Sequence, residues 1–201
     1  MSKVLKKLYL GDVVKSFGTK QLRKLTTEQE TPLPERLDGA LTFSSPNSFT
    51  LKTNNSKKNW DGELEYSTDT KTWNVWDGTT TLSADSGKLY LRGTGNTAIT
   101  GNSEDYRWVF TGSNIACVGN IENLLDYATV ADGKHPTMER SCYRHMFRNC
   151  TSLTTAPELP ATTLAYNCYY AMFHSCTSLT TAPELPATTL AEICYYDMFA
   201  D

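Results

Sequence analysis

The chain has 201 residues, of which 39% are hydrophobic and 20% charged, and its formal net charge is −3. This length suffices for one domain or two small ones, and the composition excludes a disordered polyelectrolyte. No apolar run approaches the roughly 18 residues that span a bilayer, so membrane insertion is not expected. The small negative charge gives no reason to expect nucleic-acid binding.

The N-terminal region is strongly basic. Residues 1–24 carry seven Lys or Arg and a single acidic residue, and a Gly-Asp pair at 11–12 separates two β-rich runs. This pattern is typical of a hairpin with a tight turn, which is only marginally stable alone. We therefore predict an anchoring arm and linker over 1–36 that docks on a partner, with a solvated tail as the alternative. The docking residues would be Lys6, Lys7, Tyr9 and Lys15.

The next region is rich in strands and turns. Short β-rich runs alternate with Asn, Asp, Gly and Ser clusters, which predicts a small Ig-like β-sandwich over 37–120. A connecting or capping segment would follow over 121–141. The predicted strands are 41–43, 48–52, 63–66, 73–76, 79–82, 88–92, 107–111 and 115–118.

Three features of this region have functional alternatives. The four tryptophans favour core positions, although one or two could form a sugar-stacking platform. The sequence 93–98 matches a dinucleotide-binding fingerprint, but the residues after it cannot form the helix that holds a pyrophosphate. Residues 67–73 resemble a degenerate Asp-box, which predicts a turn. None of these features indicates catalysis.

The strongest signal is an internal repeat. Residues Cys150 to Ala165 recur letter for letter as Cys176 to Ala191, a period of 26. A Cys-Tyr-x-x-Met-Phe pattern also occurs three times, at 142–147, 168–173 and 194–199. A fixed period in the twenties with regular leucines predicts a leucine-rich solenoid over 142–201.

Each repeat can be divided by its residues. Leu153 to Ala156 predicts a short strand, which Pro157 and Pro160 end. Residues 166–173 predict a short helical return, with one apolar face buried against the neighbouring turns. The inward residues on that face would be Tyr169, Met172 and Phe173.

The repeat resembles the BspA-type leucine-rich repeats of gut-bacterial surface proteins and of phages that infect such bacteria. The region from Leu41 to Asp126 also looks like the β-domain that often precedes these repeats. The basic N-terminus lacks the apolar core of a secretory signal and a lipobox cysteine, and its hairpin looks like N-terminal segments of phage structural proteins. The resemblance therefore implies a virion protein.

The cysteines follow the repeat, as two ladders at 142, 168, 194 and at 150, 176. Buried free thiols are expected, with disulfides between neighbouring repeats as the alternative. A zinc site at Cys142, His145 and Cys150 is disfavoured because His145 is replaced in the other copies. We expect no metal, no cofactor and no enzymatic activity, since no activated nucleophile or repeating histidine is present.

The resulting hypothesis is a phage virion protein, a tail or head fibre or spike, that docks on other virion proteins through 1–32. Its repeats would bind a host-surface glycan or protein, and the arrangement is compatible with a homo-oligomer. The alternatives are a bacterial cell-surface adhesin and a virion decoration protein without ligand. Because the last repeat stops before its strand, we also expect further repeats in a longer chain. The predicted ligand-binding residues are Thr154, Thr155, Glu158, Thr180, Thr181 and Glu184.

Overall fold

The computed structural model describes residues 37–201, except for the side chain of Glu104. The predicted hairpin arm, the linker and the docking residues Lys6, Lys7, Tyr9 and Lys15 lie outside the described residues. The described part is mainly β, with nine strands and one α-helix. The strands are β1 Leu41–Ser44, β2 Phe49–Thr53, β3 Glu63–Ser67, β4 Asn74–Val75, β5 Leu82–Ala84, β6 Lys88–Thr94, β7 Trp108–Thr111, β8 Ile115–Val118 and β9 Leu153–Thr155.

The strands form two sheets. The larger has the order β4-β3-β6-β1-β8-β9, and the smaller has the order β5-β2-β7. All pairs are antiparallel except β8 with β9, which joins the first repeat to the larger sheet in parallel. The strand predicted at 79–82 instead begins at Leu82, because the Asp77 carboxylate accepts the N–H and hydroxyl groups of Thr79 and Thr80 and holds them in a loop.

Aromatic rings join the two sheets. Phe43 on β1 lies 5.1 Å from the Phe110 ring and 6.2 Å from the Trp108 ring, both on β7. Trp60, Trp76 and Trp108 are all buried, as their predicted core positions require. The fourth tryptophan, Trp73, has one ring face covered by the Arg92 guanidinium, 3.9 Å from the ring centroid. Three of the four tryptophans therefore serve packing.

Helix α1 spans Asn123–Ala131 in the segment that the sequence predicted only as a connection. It bends at Asp126, whose backbone is not helical, and it packs against β6. A side chain on Gly93 in β6 would collide with the carbonyl oxygen of Leu124. Glycine at 93 therefore allows α1 to approach the sheet, a packing role for a residue of the dinucleotide-like motif.

Beyond α1, three turn segments stack on one another: 141–149, 167–175 and 193–200. They contain no helix, so the predicted helical return at 166–173 is wrong. Every fourth residue has a positive φ, as at His145, Ala171 and Asp197. Alternate N–H groups close turns within a segment, as in the 3.1 Å bond from Met146 N to Tyr143 O.

The other N–H groups leave their own segment. Each donates to a carbonyl 25 residues further on, as in the bonds from Tyr143 to Cys168 at 2.9 Å and from Tyr169 to Cys194 at 3.0 Å. An α-helix would consume every N–H within its own segment, so this ladder explains why no helix forms. The repeat period sets the hydrogen-bond spacing.

Side chains stack in register with this ladder. Phe147, Phe173 and Phe199 form a column of nearly parallel rings 5.6 Å apart, and Tyr143, Tyr169 and Tyr195 form another. The predicted inward residues Tyr169, Met172 and Phe173 are confirmed as buried. All six cysteines are free and buried, and burial raises the pKa of Cys168 and Cys176 to about 12.

Candidate functional site

The two copies of the repeat line one open groove of about 470 Å³. Each copy contributes one carboxylate and two prolines from its Pro-Glu-Leu-Pro sequence. The groove is lined by Ala156, Pro157, Glu158, Leu159, Pro160, Pro183, Glu184 and Pro186. The predicted pair Glu158 and Glu184 thus lies in a shared groove, beside rigid apolar rings.

The first copy is fixed to the sheet region. The N–H of Glu158 donates to Gly119 O at 2.9 Å, and Glu158 O accepts the N–H of Ile121 at 3.1 Å. Leu159 is buried below this contact, whereas its counterpart Leu185 is 40% exposed. Among residues 37–201, the first-copy side of the groove is therefore bonded to the chain around β8, and the second-copy side has no such bond.

The predicted threonines are separated from one another by the fold. The hydroxyl of Thr154 donates to Ile115 O at 3.2 Å, and both Thr154 and Thr155 are half-buried in β9. Their identical counterparts Thr180 and Thr181 are exposed and form no strand. The expected array of equivalent, exposed threonines is wrong, because only the first copy has the neighbouring strand β8 with which to pair.

The stretch of chain that supplies the groove is acidic. From 150 to 201 the chain has five Asp or Glu and no Lys or Arg. Both Glu158 and Glu184 are exposed residues within this acidic stretch. All formally charged residues of this stretch are therefore acidic, including the two that line the groove.

The candidate metal ligands and thiols of the sequence do not form a metal site in the part of the chain that the structure describes. Within residues 37–201, no group of three or more His, Cys, Asp or Glu could hold a metal ion. His145 is fully buried, with its ring edge-on to Tyr170 at 5.2 Å. Burial also raises the pKa of Cys142 and Cys150, so their thiols are poor nucleophiles.

Sequence reasoning missed two parts of this region. The prolines beside Glu158 and Glu184 were interpreted only as strand terminators, although their presence on both sides of each glutamate was visible. A second cleft contains Glu122 and His135, whose contact at 2.8 Å joins residues 13 positions apart. No spacing rule connects these two residues, since they meet only through the turn after α1.

Comparison with known proteins finds nothing similar: no protein-family model, no curated protein and no solved structure matches the chain. Within 37–201, no helix has the length and apolar character needed to cross a membrane.

Proposed function

We propose that this chain is a phage virion structural protein, a tail or head fibre or spike that presents its β-domain and repeats to the host surface. In this proposal the sheets form an Ig-like domain and the repeats form a BspA-type leucine-rich solenoid. The observation that carries it is the groove in which successive repeats place Glu158 and Glu184 side by side with proline rings. A surface built by repetition suits weak, multivalent adhesion to a repetitive polymer.

The two carboxylates of the groove indicate which chemical class of ligand it would bind. An exposed carboxylate accepts hydrogen bonds from hydroxyl and amide groups, and proline rings contact the apolar face of a sugar or an aliphatic side chain. Phosphate or carboxylate groups on a ligand would face like charges from Glu158 and Glu184. The proposed host ligand is therefore a neutral or amino-bearing glycan, or a basic protein surface, and not an acidic polysaccharide.

The ligand proposal is tested on a glycan array with the full chain, comparing neutral, amino-bearing and acidic polymers. The double variant Glu158→Gln/Glu184→Gln should bind the selected polymer at least about tenfold more weakly, because two acceptors lose their charge. Glu192→Gln changes an exposed acid that does not line the groove and should leave binding unchanged. Preferential binding to acidic polymers would refute the proposal.

The virion proposal assigns attachment to residues 1–32, where basic side chains would meet an acidic partner. Mass spectrometry of purified particles should detect the chain, and deletion of 1–32 should abolish its incorporation. Recovery of the chain from bacterial envelopes but not from particles would support the surface-adhesin alternative. If the chain is incorporated into particles, and particles that carry the groove variants adsorb normally to the host, the chain would be a decoration protein without ligand.

A further inference from the structure

The second cleft shares no lining residue with the groove and measures about 330 Å³. Two stretches of chain line it: the segment after α1, with His135, Pro136 and Met138, and the first repeat at 161–165. Glu122, the residue that precedes α1, completes the lining. The cleft is thus built where the helix region meets the stack.

The repeat side of this cleft is held in place by the next repeat. Thr162 O accepts the N–H groups of Thr188 and Thr189, at 3.0 and 3.2 Å, and the N–H of Leu164 donates to Thr189 O at 2.9 Å. Thr162 and Thr163 remain exposed, so their hydroxyls are available to a ligand. The backbone on this side of the cleft is therefore bonded to the next repeat.

Glu122 is the unusual group in the cleft. Its side chain is only 2% exposed, yet its carboxylate has no Lys or Arg partner within residues 37–201. The two oxygens share one donor, His135 Nδ1, at 3.0 and 2.8 Å, and the Asn120 side chain adds a weaker contribution. A carboxylate offers about four acceptor positions, so part of this buried group's capacity is unused.

The environment makes the ionised form of Glu122 costly. Burial raises the pKa of Glu122, and the hydrogen bond and charge of His135 only partly oppose this. His135 is itself half-exposed, with 49% of its side chain accessible, so solvent weakens its interaction with Glu122. A buried carboxylate is stabilised most by a cation that brings several donors into the same site.

We propose that this cleft binds a small organic cation, an ammonium or guanidinium group on an apolar stem, with the head group on Glu122. The hydroxyls of Thr162 and Thr163 accept the remaining N–H groups of the ligand. Pro136, Met138 and Leu164 supply an apolar surface for the stem. The ligand class follows from the charge: a neutral polyol would add no positive charge to the one contact with His135, and an anion would be repelled by the carboxylate.

The test uses the full chain and four probes of equal length: n-butylammonium, n-butylguanidinium, n-butanol and butyrate. Calorimetry should show that the two cations bind at least about tenfold more tightly than n-butanol, and that butyrate does not bind. Glu122→Gln should remove this preference. Glu192→Gln, which changes an exposed acid that lines neither the cleft nor the groove, should leave it intact.

A second measurement guards against misfolding of the Glu122 variant. In the unaltered chain, the cations should shift the ring-proton NMR signals of His135, assigned through His135→Ala, and n-butanol should not. Equal binding of n-butanol, unmoved His135 signals, or loss of cation binding in Glu192→Gln would each overturn the proposal. Because the glycan groove is tested by a different pair of glutamates, failure here does not affect that proposal.

Discussion

The first and last turn segments have related sequences but opposite surroundings. In the first, the sheet region supplies donors: Ile99 N–H reaches Cys142 O at 2.8 Å, and Trp108 N–H reaches Met146 O at 2.8 Å. In the last, the equivalent inter-segment donors find no acceptor within residues 37–201. These donors are the N–H groups of Ile193, Tyr195, Asp197 and Phe199. One end of the stack is capped by the sheet region, and the other, the open end, has no segment of residues 37–201 packed on it.

Burial follows the same difference. Phe173 is 2% exposed and Phe199, one period later, is 42% exposed; Leu164 and Leu190 are 5% and 58% exposed. These pairs occupy identical positions in the repeat. The position of a residue in the repeat therefore does not determine its burial. Its solvent exposure depends on whether a further segment is stacked on it.

The largest expected effect comes from the phenylalanine column. Phe173→Ala should lower the free energy of unfolding by about 3–5 kcal/mol, because it removes a ring packed between two others. Phe199→Ala, the same change at the open end, should cost less than half of that. Urea denaturation of both variants measures the difference. Equal losses would show that the last ring is covered in solution.

The cap on the first segment can be weakened without changing side-chain shape. The hydroxyl of the buried residue Thr100 donates to Arg144 O at 2.7 Å. Thr100→Val should cost about 1–3 kcal/mol, because that carbonyl loses a buried donor. Thr188→Val, at an exposed position, should cost under about 0.5 kcal/mol. Thermal unfolding of both variants measures the two costs. A neutral Thr100→Val would mean that the backbone bonds alone form the cap.

The identical threonines of the two repeats give a smaller, matched comparison. Thr154→Ala should cost about 1 kcal/mol, because its hydroxyl bonds to the carbonyl of Ile115 in β8. Thr180→Ala should cost under about 0.5 kcal/mol, since that side chain is exposed. Chemical denaturation resolves the two values. If both changes were neutral, the attachment of β9 to β8 would depend on backbone bonds alone.

Local patterns predicted most of the sheet. Ile115–Val118 was predicted with the bounds observed, because β-branched residues between turn clusters carry that information within a few positions. The helix over 123–131 was missed, since it depends on packing against β6 at Gly93. The predicted helical return at 166–173 was wrong for a similar reason. Alternate N–H groups of this segment bond to the next repeat, and the local sequence does not predict a hydrogen-bond partner so distant in the chain.

The candidate sites divide in the same way. Period alone predicted that Glu158 and Glu184 would share a surface, and the fold places both in one groove. Period also predicted equivalent threonines, and this failed because β8 pairs with one copy only. The Glu122–His135 contact required the turn after α1, which the sequence described only as a connection.

The smallest expected effect separates two tyrosines of one column. Tyr143 and Tyr169 are both fully buried, with ring centroids 5.7 Å apart, but only Tyr143 donates its hydroxyl, to Ile121 O at 3.2 Å. The Tyr169 hydroxyl has no hydrogen-bond partner within residues 37–201, and burial raises the pKa of Tyr169 well above its usual value.

Removing a buried hydroxyl without a partner removes a desolvation cost, whereas removing a bonded one leaves a carbonyl unsatisfied. Tyr169→Phe should therefore leave the free energy of unfolding unchanged or raise it by up to about 1 kcal/mol, and Tyr143→Phe should lower it by about 1 kcal/mol. Both variants keep the ring, so the stacking contribution cancels between them. Urea denaturation of the two variants side by side decides the point. A Tyr169→Phe variant as destabilised as Tyr143→Phe would show that the second hydroxyl is also bonded in solution, and that the column is held by polar contacts at two levels of the stack.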